Sequence, residues 1–299
     1  MSSRIAIRRR SAAAAGLALL GLVTLGPAFA APPETVYFAG GDGTELTAYL
    51  FKPAGNGPFP AIVMLHGRGG PYSSNVNKDC ALVSRNAPAS PCNAGSLSKR
   101  HMMWGNSWAE RGYVALLPDS FGPRGKAHGF GRHTHDDPDR DDVNERTVRP
   151  LDAEGALAYL RQRSEVMPSR ILLQGWSNGG STALNVLFRQ GTSTAGFRGA
   201  LVFYPGCGDK SLLGPTLTSR VPIQLFLAAD DEEVSPTLCS AMADRSRQAG
   251  TAIDVTIYPG ATHGFDEPSA SRQSVPGNRP AMDDTLRRAA SLASEWLKQ

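Results

Sequence analysis

The stretch Gly175-Trp176-Ser177-Asn178-Gly179-Gly180 follows Ile171-Leu172-Leu173 and precedes Ser181 to Phe188. The first flank is a short apolar run that reads as a buried strand. The second repeats Leu184, Leu187 and Phe188 at helical spacing. Strand, G-x-S-x-G, then helix is the context in which this pattern has a mechanism. The turn is so tight that its central residue takes a strained backbone, and flanking glycines remove side chains that would clash. Ser177 is thereby lifted clear of the sheet, with the N-terminus of a helix behind it to receive a developing anion. A glycine-rich turn carrying an ordinary serine fits the same letters, so the weight falls on partners elsewhere.

Other short apolar runs lie outward from this point. They are Ala61–Leu65, Tyr113–Leu117, Ala200–Phe203, Ile223–Leu227 and Ile253–Tyr258. Most are continuous rather than alternating, as strands buried on both faces require. Glu34–Phe38 and Leu46–Phe51 read as an antiparallel edge. Helices are expected near Ser98–Arg111, Arg146–Arg163, Asn178–Gln190, Pro236–Ala249 and Pro280–Leu297, with Pro236 and Pro280 in first turns and Ser235 as an N-cap. Alternating strands and helices predict an α/β fold, a mostly parallel doubly wound sheet with helices on both faces. Ligands in such sheets bind outside the carboxyl ends of the strands.

Two further strand ends carry polar sequence there. Ile223–Ala229 runs into Asp230-Asp231-Glu232-Glu233, and Ile253–Tyr258 runs into Pro259-Gly260-Ala261-Thr262-His263-Gly264. The order Ser177, Asp231, His263 is that of α/β-hydrolases. A serine hydroxyl is a poor nucleophile unless a histidine takes its proton and a carboxylate holds that histidine in the right tautomer. Asp230 is the competing acid. An acidic run also reads as a solvated loop, and His263 as a loop histidine, but three residue types in order at strand ends favour the triad. An oxyanion needs two N–H donors. Asn178 supplies one, and the loop His66-Gly67-Arg68-Gly69-Gly70 after Ile62–Leu65 supplies the other from Arg68.

The first 30 residues read as a secretory signal peptide. Arg4, Arg8, Arg9 and Arg10 precede an apolar Ala12–Leu25, and Ala28-Phe29-Ala30 offers a cleavage site. General and twin-arginine export are both open. The apolar run is short for a stable membrane anchor. The full chain carries a formal charge of +4; taking those four arginines from its 31 basic residues leaves 27 against 27 acidic. That balance gives no support for nucleic-acid or anionic-membrane binding. Residues 31–299 suit a single domain that is periplasmic or secreted. Its four cysteines read as disulfides in an oxidising compartment. Of three possible pairings, Cys80–Cys92 with Cys207–Cys239 is favoured: one staples a long loop, the other ties a strand end to a later helix.

Several of these segments together resemble the dienelactone hydrolase family of α/β-hydrolases. They are Tyr258–Asp266, Asp231–Pro236, Pro118-Asp119-Ser120-Phe121 and Phe203-Tyr204-Pro205-Gly206-Cys207. The resemblance implies an ester or lactone hydrolase that needs no cofactor. Founding members use a cysteine nucleophile and a glutamate after the oxyanion-loop histidine; here Ser177 and Gly67 stand instead. They also hold a substrate carboxylate with arginines. Arg124 falls near one such position, whereas Asp266 and Glu267 stand where another would follow the histidine. Both departures point to a conventional serine mechanism on a substrate other than dienelactone.

Trp176 and Tyr204 read as pocket walls, with core packing as the plainer role. His128, His133 and His135 with Asp136–Asp142 could ligate a metal, but the run fits a solvated insertion better. The rival functions are a polyester-, lipase- or peptidase-like hydrolase with the same triad, and a non-catalytic or metal-binding exported protein. The sequence does not set the oligomeric state.

Overall fold

The computed structural model describes Met1, residues 32–132 and residues 134–298; the expected signal segment and His133 lie outside the described residues. Residues 32–298 fall within one compact unit. Its strands are β1 (Glu34–Ala39), β2 (Glu45–Phe51), β3 (Phe59–Leu65), β4 (Val114–Asp119), β5 (Val166–Trp176), β6 (Ala200–Phe203), β7 (Ile223–Ala228) and β8 (Ile253–Tyr258). They form a single sheet in the order β1-β2-β4-β3-β5-β6-β7-β8. β1 and β2 are antiparallel to their neighbours, and every pairing from β4 through β8 is parallel. The expected edge and parallel core are therefore both present.

The helices are α1 (Lys99–Glu110), α2 (Arg149–Arg161), α3 (Asn178–Gln190), α4 (Pro236–Gln248), α5 (Ala270–Gln273) and α6 (Asn278–Trp296). Side chains alternate across the strands, so each continuous apolar run feeds two cores. Val63, Leu173, Val202 and Leu225 face one side, with Leu160 of α2, Leu184 and Leu187 of α3 and Met242 of α4. Ile62, Leu172, Leu201 and Phe226 face the other, with Trp104 and Trp108 of α1 and Ala289 and Ala293 of α6.

Among the boundaries that differ from expectation, three concern the starts of β5, α2 and α6. β5 starts five residues early, because Val166 pairs with Phe59 before the register shifts and resumes at Ile171 with Ala61. Pro168, Ser169 and Arg170 in between hid that pairing from an apolar pattern. α2 begins at Arg149 rather than Arg146, with Pro150 in its first turn. A proline there lacks only an N–H that no helix residue would accept. α6 begins two residues before Pro280.

Candidate active site

The site is built at the carboxyl ends of β3, β5, β7 and β8. Ser177 joins β5 to α3 with φ 53° and ψ −119°, a conformation costly for any residue with a Cβ. The neighbouring glycines are obligatory. A Cβ on Gly175 would fall on the carbonyl oxygen of Gly179, and one on Gly179 on the carbonyls of Leu65 and His66. The Ser177 N–H donates to Phe203 O at 2.9 Å, anchoring the turn to β6.

The loops after β7 and β8 bring the expected partners together. His263 Nε2 lies 2.9 Å from Ser177 Oγ, and His263 Nδ1 lies 2.9 and 3.0 Å from the two Asp231 oxygens. A carboxylate only accepts, so Nδ1 carries the proton and Nε2 is free to accept from the serine. Asp231 Oδ1 also accepts the N–H groups of Glu233 and Val234, each at 2.9 Å, which fixes the carboxylate in place.

The acidic run is only partly solvated: Asp230 and Glu232 are exposed, whereas Asp231 and Glu233 turn into the site. Glu232 accepts the backbone N–H of His263 at 2.9 Å. Glu233 accepts from Arg68 at 2.9 and 3.0 Å and pairs with Arg132 Nε at 2.8 Å. Its Oε2 sits 3.7 Å from His263 Nε2. Burial pushes the Glu233 carboxyl up, but His263, Arg68 and Arg132 outweigh it and hold it below the usual range. Asp230, the competing acid, is exposed, with only its N–H engaged, on Ala261 O.

The His66–Gly70 loop packs on the elbow: a Cβ on Gly67 would stand 3.4 Å from Trp176 O and 3.5 Å from Ser177 Cβ. His66 is fully buried, with Nδ1 donating to Gly67 O at 2.8 Å and Nε2 accepting from Ser120 N–H at 3.2 Å. Burial, and then Arg149, keep it neutral. At the first position of α3 the Asn178 N–H has no helical partner. Asn178 and Arg68 border, with Ser177, a cavity of about 60 Å³.

Sequence reading missed two residues that organise this site. Arg149 is fully buried and donates to His66 O at 2.8 Å and to Asn178 Oδ1, cross-linking the loop and helix that carry both expected oxyanion donors. Burial pushes its guanidinium down to about 10, against the pull of Asp152 and Glu145. Asp266 is fully buried; Oδ2 accepts the indole N–H groups of Trp104 and Trp176, each at 2.8 Å. Its Oδ1 accepts from Tyr204 OH and pairs with Arg100 Nε at 3.1 Å. No local pattern marks either residue.

Three expected pocket residues need correction. Trp176 and Tyr204 are buried donors to Asp266 and do not line the cavity. Tyr204, at φ 34°, instead packs its ring edge-on to the His263 imidazole at 4.7 Å. Arg124 is spent on ion pairs to Asp152 and Asp42, both at 2.8 Å. The cavity wall comes instead from Arg132, His135, Arg140, Glu145 and Glu233, which the insertion, the segment just after it and the acidic run supply. His135 Nδ1 lies 3.4 Å from Glu145 Oε1. No cluster of three or more metal-ligating side chains occurs among the described residues. Cys80 is joined to Cys92 and Cys207 to Cys239, the favoured pairing.

Known proteins share this architecture. A dienelactone hydrolase-like promiscuous phosphotriesterase from metagenomic libraries superposes with a TM-score of 0.64 at 19% identity, covering 88% of this chain and 97% of its own. Esterase Est2 of Thermogutta terrifontis, with propionate bound, gives 0.58 at 20% identity over 88% and 94%. The same organism's esterase 2, phosphorylated by paraoxon, gives 0.58 at 19% identity over 90% and 96%. At these identities the likeness is one of fold. The family model for dienelactone hydrolases matches residues 95–299. The chain is therefore a member of the dienelactone hydrolase family, within the α/β-hydrolases.

Proposed function

We propose that this protein is a serine hydrolase of carboxylic esters or lactones, with Ser177 as nucleophile, His263 as general base and Asp231 as the group that orients it. The observation that carries the reading is the unbroken hydrogen-bonded line from Ser177 Oγ through His263 to Asp231. His263 Nε2 takes the Ser177 proton as Oγ attacks the carbonyl, and Asp231 balances the imidazolium. The N–H groups of Asn178 and Arg68 receive the oxyanion, an interaction worth about 3 kcal/mol per donor in the barrier. His263 then protonates the leaving alcohol. Water enters, gives its proton to the same nitrogen, and the acid departs from Ser177.

The charged cavity supports a small, polar acyl group. A long alkyl chain there would strip water from Arg132, Arg140, Glu145 and Glu233 without replacing their hydrogen bonds. This argues against lipase-type substrates. The disulfides support an exported protein, and among the described residues no helix is long and apolar enough to cross a membrane. We propose accordingly that residues 1–30 direct export and that residues 31–299 are the hydrolase domain. A chromogenic ester panel of increasing acyl length, with lactones included, tests the reading. Acetyl and other short polar esters should turn over fastest, and a preference for long-chain esters would oppose it.

A further inference from the structure

Glu233 has no part in the triad, yet its carboxylate stands on the reactive side of the histidine. Oε2 is 3.7 Å from His263 Nε2, beyond direct hydrogen bonding; one water donating to both acceptors spans about 4.4 Å, so a shift of the carboxylate by under about 1 Å seats it. Arg68, from the oxyanion loop, and Arg132, from the insertion, clamp both carboxylate oxygens from the other side. The residue is therefore paired with two guanidinium groups and stands beside the atom that must activate water. We propose that Glu233 is a positioning residue that holds the hydrolytic water against His263 Nε2 in the second half of the reaction.

This rests on the acyl-enzyme mechanism above. In the free enzyme Nε2 accepts from Ser177 Oγ–H. Once Oγ is acylated that hydrogen is gone, and the Nε2 lone pair is open. A water in the gap donates one O–H to Nε2 and the other to Oε2, which turns an oxygen lone pair toward the acyl carbon. As the water oxygen bonds to that carbon, its first proton passes to Nε2. Collapse of the tetrahedral adduct breaks the bond to Ser177 Oγ, which recovers the proton from Nε2. Glu233 ends as it began, having supplied only an acceptor.

Methanol has one O–H. It can use Nε2 but cannot satisfy Glu233 as well, so the wild-type enzyme should discriminate against it. The test is the ratio of methyl acetate to acetic acid formed from 4-nitrophenyl acetate at fixed methanol, in wild type, Glu233→Ala and Glu233→Gln. The ratio does not depend on which step limits turnover. A hydrogen bond to a charged group carries roughly a tenfold effect or more, so the ratio should rise about tenfold in Glu233→Ala. Glu233→Gln preserves side-chain size and tests the idea if the alanine variant fails to fold; a smaller rise is expected there. The kcat/KM for nitrophenol release, which reports acylation, is measured alongside and registers any loss that comes from a loosened Arg68. An unchanged ratio in both variants overturns the proposal, even if overall activity falls, because a loosened Arg68 would slow both acceptors alike. Absence of methyl acetate in the wild type, with no acetyl mass on Ser177, would instead overturn the acyl-enzyme reading itself.

Discussion

Replacing Asp266 by Asn probes the interior of the site without touching substrate. The carboxylate accepts three hydrogen bonds, two from indole N–H groups on one oxygen and one from the Tyr204 hydroxyl on the other, where Arg100 Nε also pairs with it at 3.1 Å. Turned one way, an Asn amide sets its NH₂ against the two indole donors, which lose their acceptor; turned the other way, the Tyr204 hydroxyl can accept from it, but the buried Arg100 charge loses its partner. At about 1–3 kcal/mol for each unsatisfied group, the loss is about 4 kcal/mol. The urea midpoint should fall by about 1–2 M, given an m-value of a few kcal/mol per molar. Turnover should fall as well, by about tenfold or more, because Tyr204 buttresses the His263 ring and Trp176 precedes the nucleophile. Equilibrium urea unfolding and steady-state ester hydrolysis read the two effects. A midpoint within about 0.2 M of wild type, outside the range that such a loss allows, together with unchanged turnover, would refute this account of Asp266.

Arg149→Met removes the donor to His66 O and Asn178 Oδ1; kcat for a chromogenic acetate should drop up to about 100-fold, with KM less affected, since both oxyanion donors lose their tether. Folding stability should depend on pH through the buried histidines. Burial holds His66 well below its usual value and His101 down to about 4, whereas both titrate near 6.5 when unfolded. The unfolded chain then binds more protons, so stability is full above about 6.5 and is lost as pH falls toward 4, by roughly 1.4 kcal/mol per unit for each histidine. Asp119 and Asp152, raised by burial, oppose the trend; urea midpoints at pH 7 and 5 should still diverge, and His101→Asn should narrow the gap. Breaking the Cys207–Cys239 bridge, which spans 32 residues, should cost roughly 3–4 kcal/mol against roughly 3 for Cys80–Cys92, read as the order of midpoints in the two double-serine variants.

The parts of this protein written in contiguous sequence were legible. Apolar runs such as Leu201-Val202-Phe203 feed two cores at once and so could be strands only of a sheet covered on both faces. The elbow announced itself because Gly175 and Gly179 have no alternative. The rest depended on approaches between distant segments. Arg149 and Asp266 are single polar residues whose partners lie 29 and 83, and 62 to 166, positions away. Trp176 and Tyr204 were misplaced for the same reason, since the acceptor that draws their polar ends inward is Asp266. Arg124 follows a family position, whereas two acids distant in sequence, Asp42 and Asp152, claim it. The acidic run read as one feature, but Asp231, Glu232 and Glu233 each meet a different atom of His263 or its surroundings.

The most direct test is the intact mass of the protein after exposure to a fluorophosphonate, followed by peptide mapping, in wild type, Ser177→Ala and His263→Ala. A single adduct on the peptide carrying Ser177 is expected, absent in Ser177→Ala and formed far more slowly in His263→Ala. An adduct on another residue, or a Ser177→Ala protein that still hydrolyses esters at the wild-type rate, would contradict the assignment of Ser177 as the nucleophile.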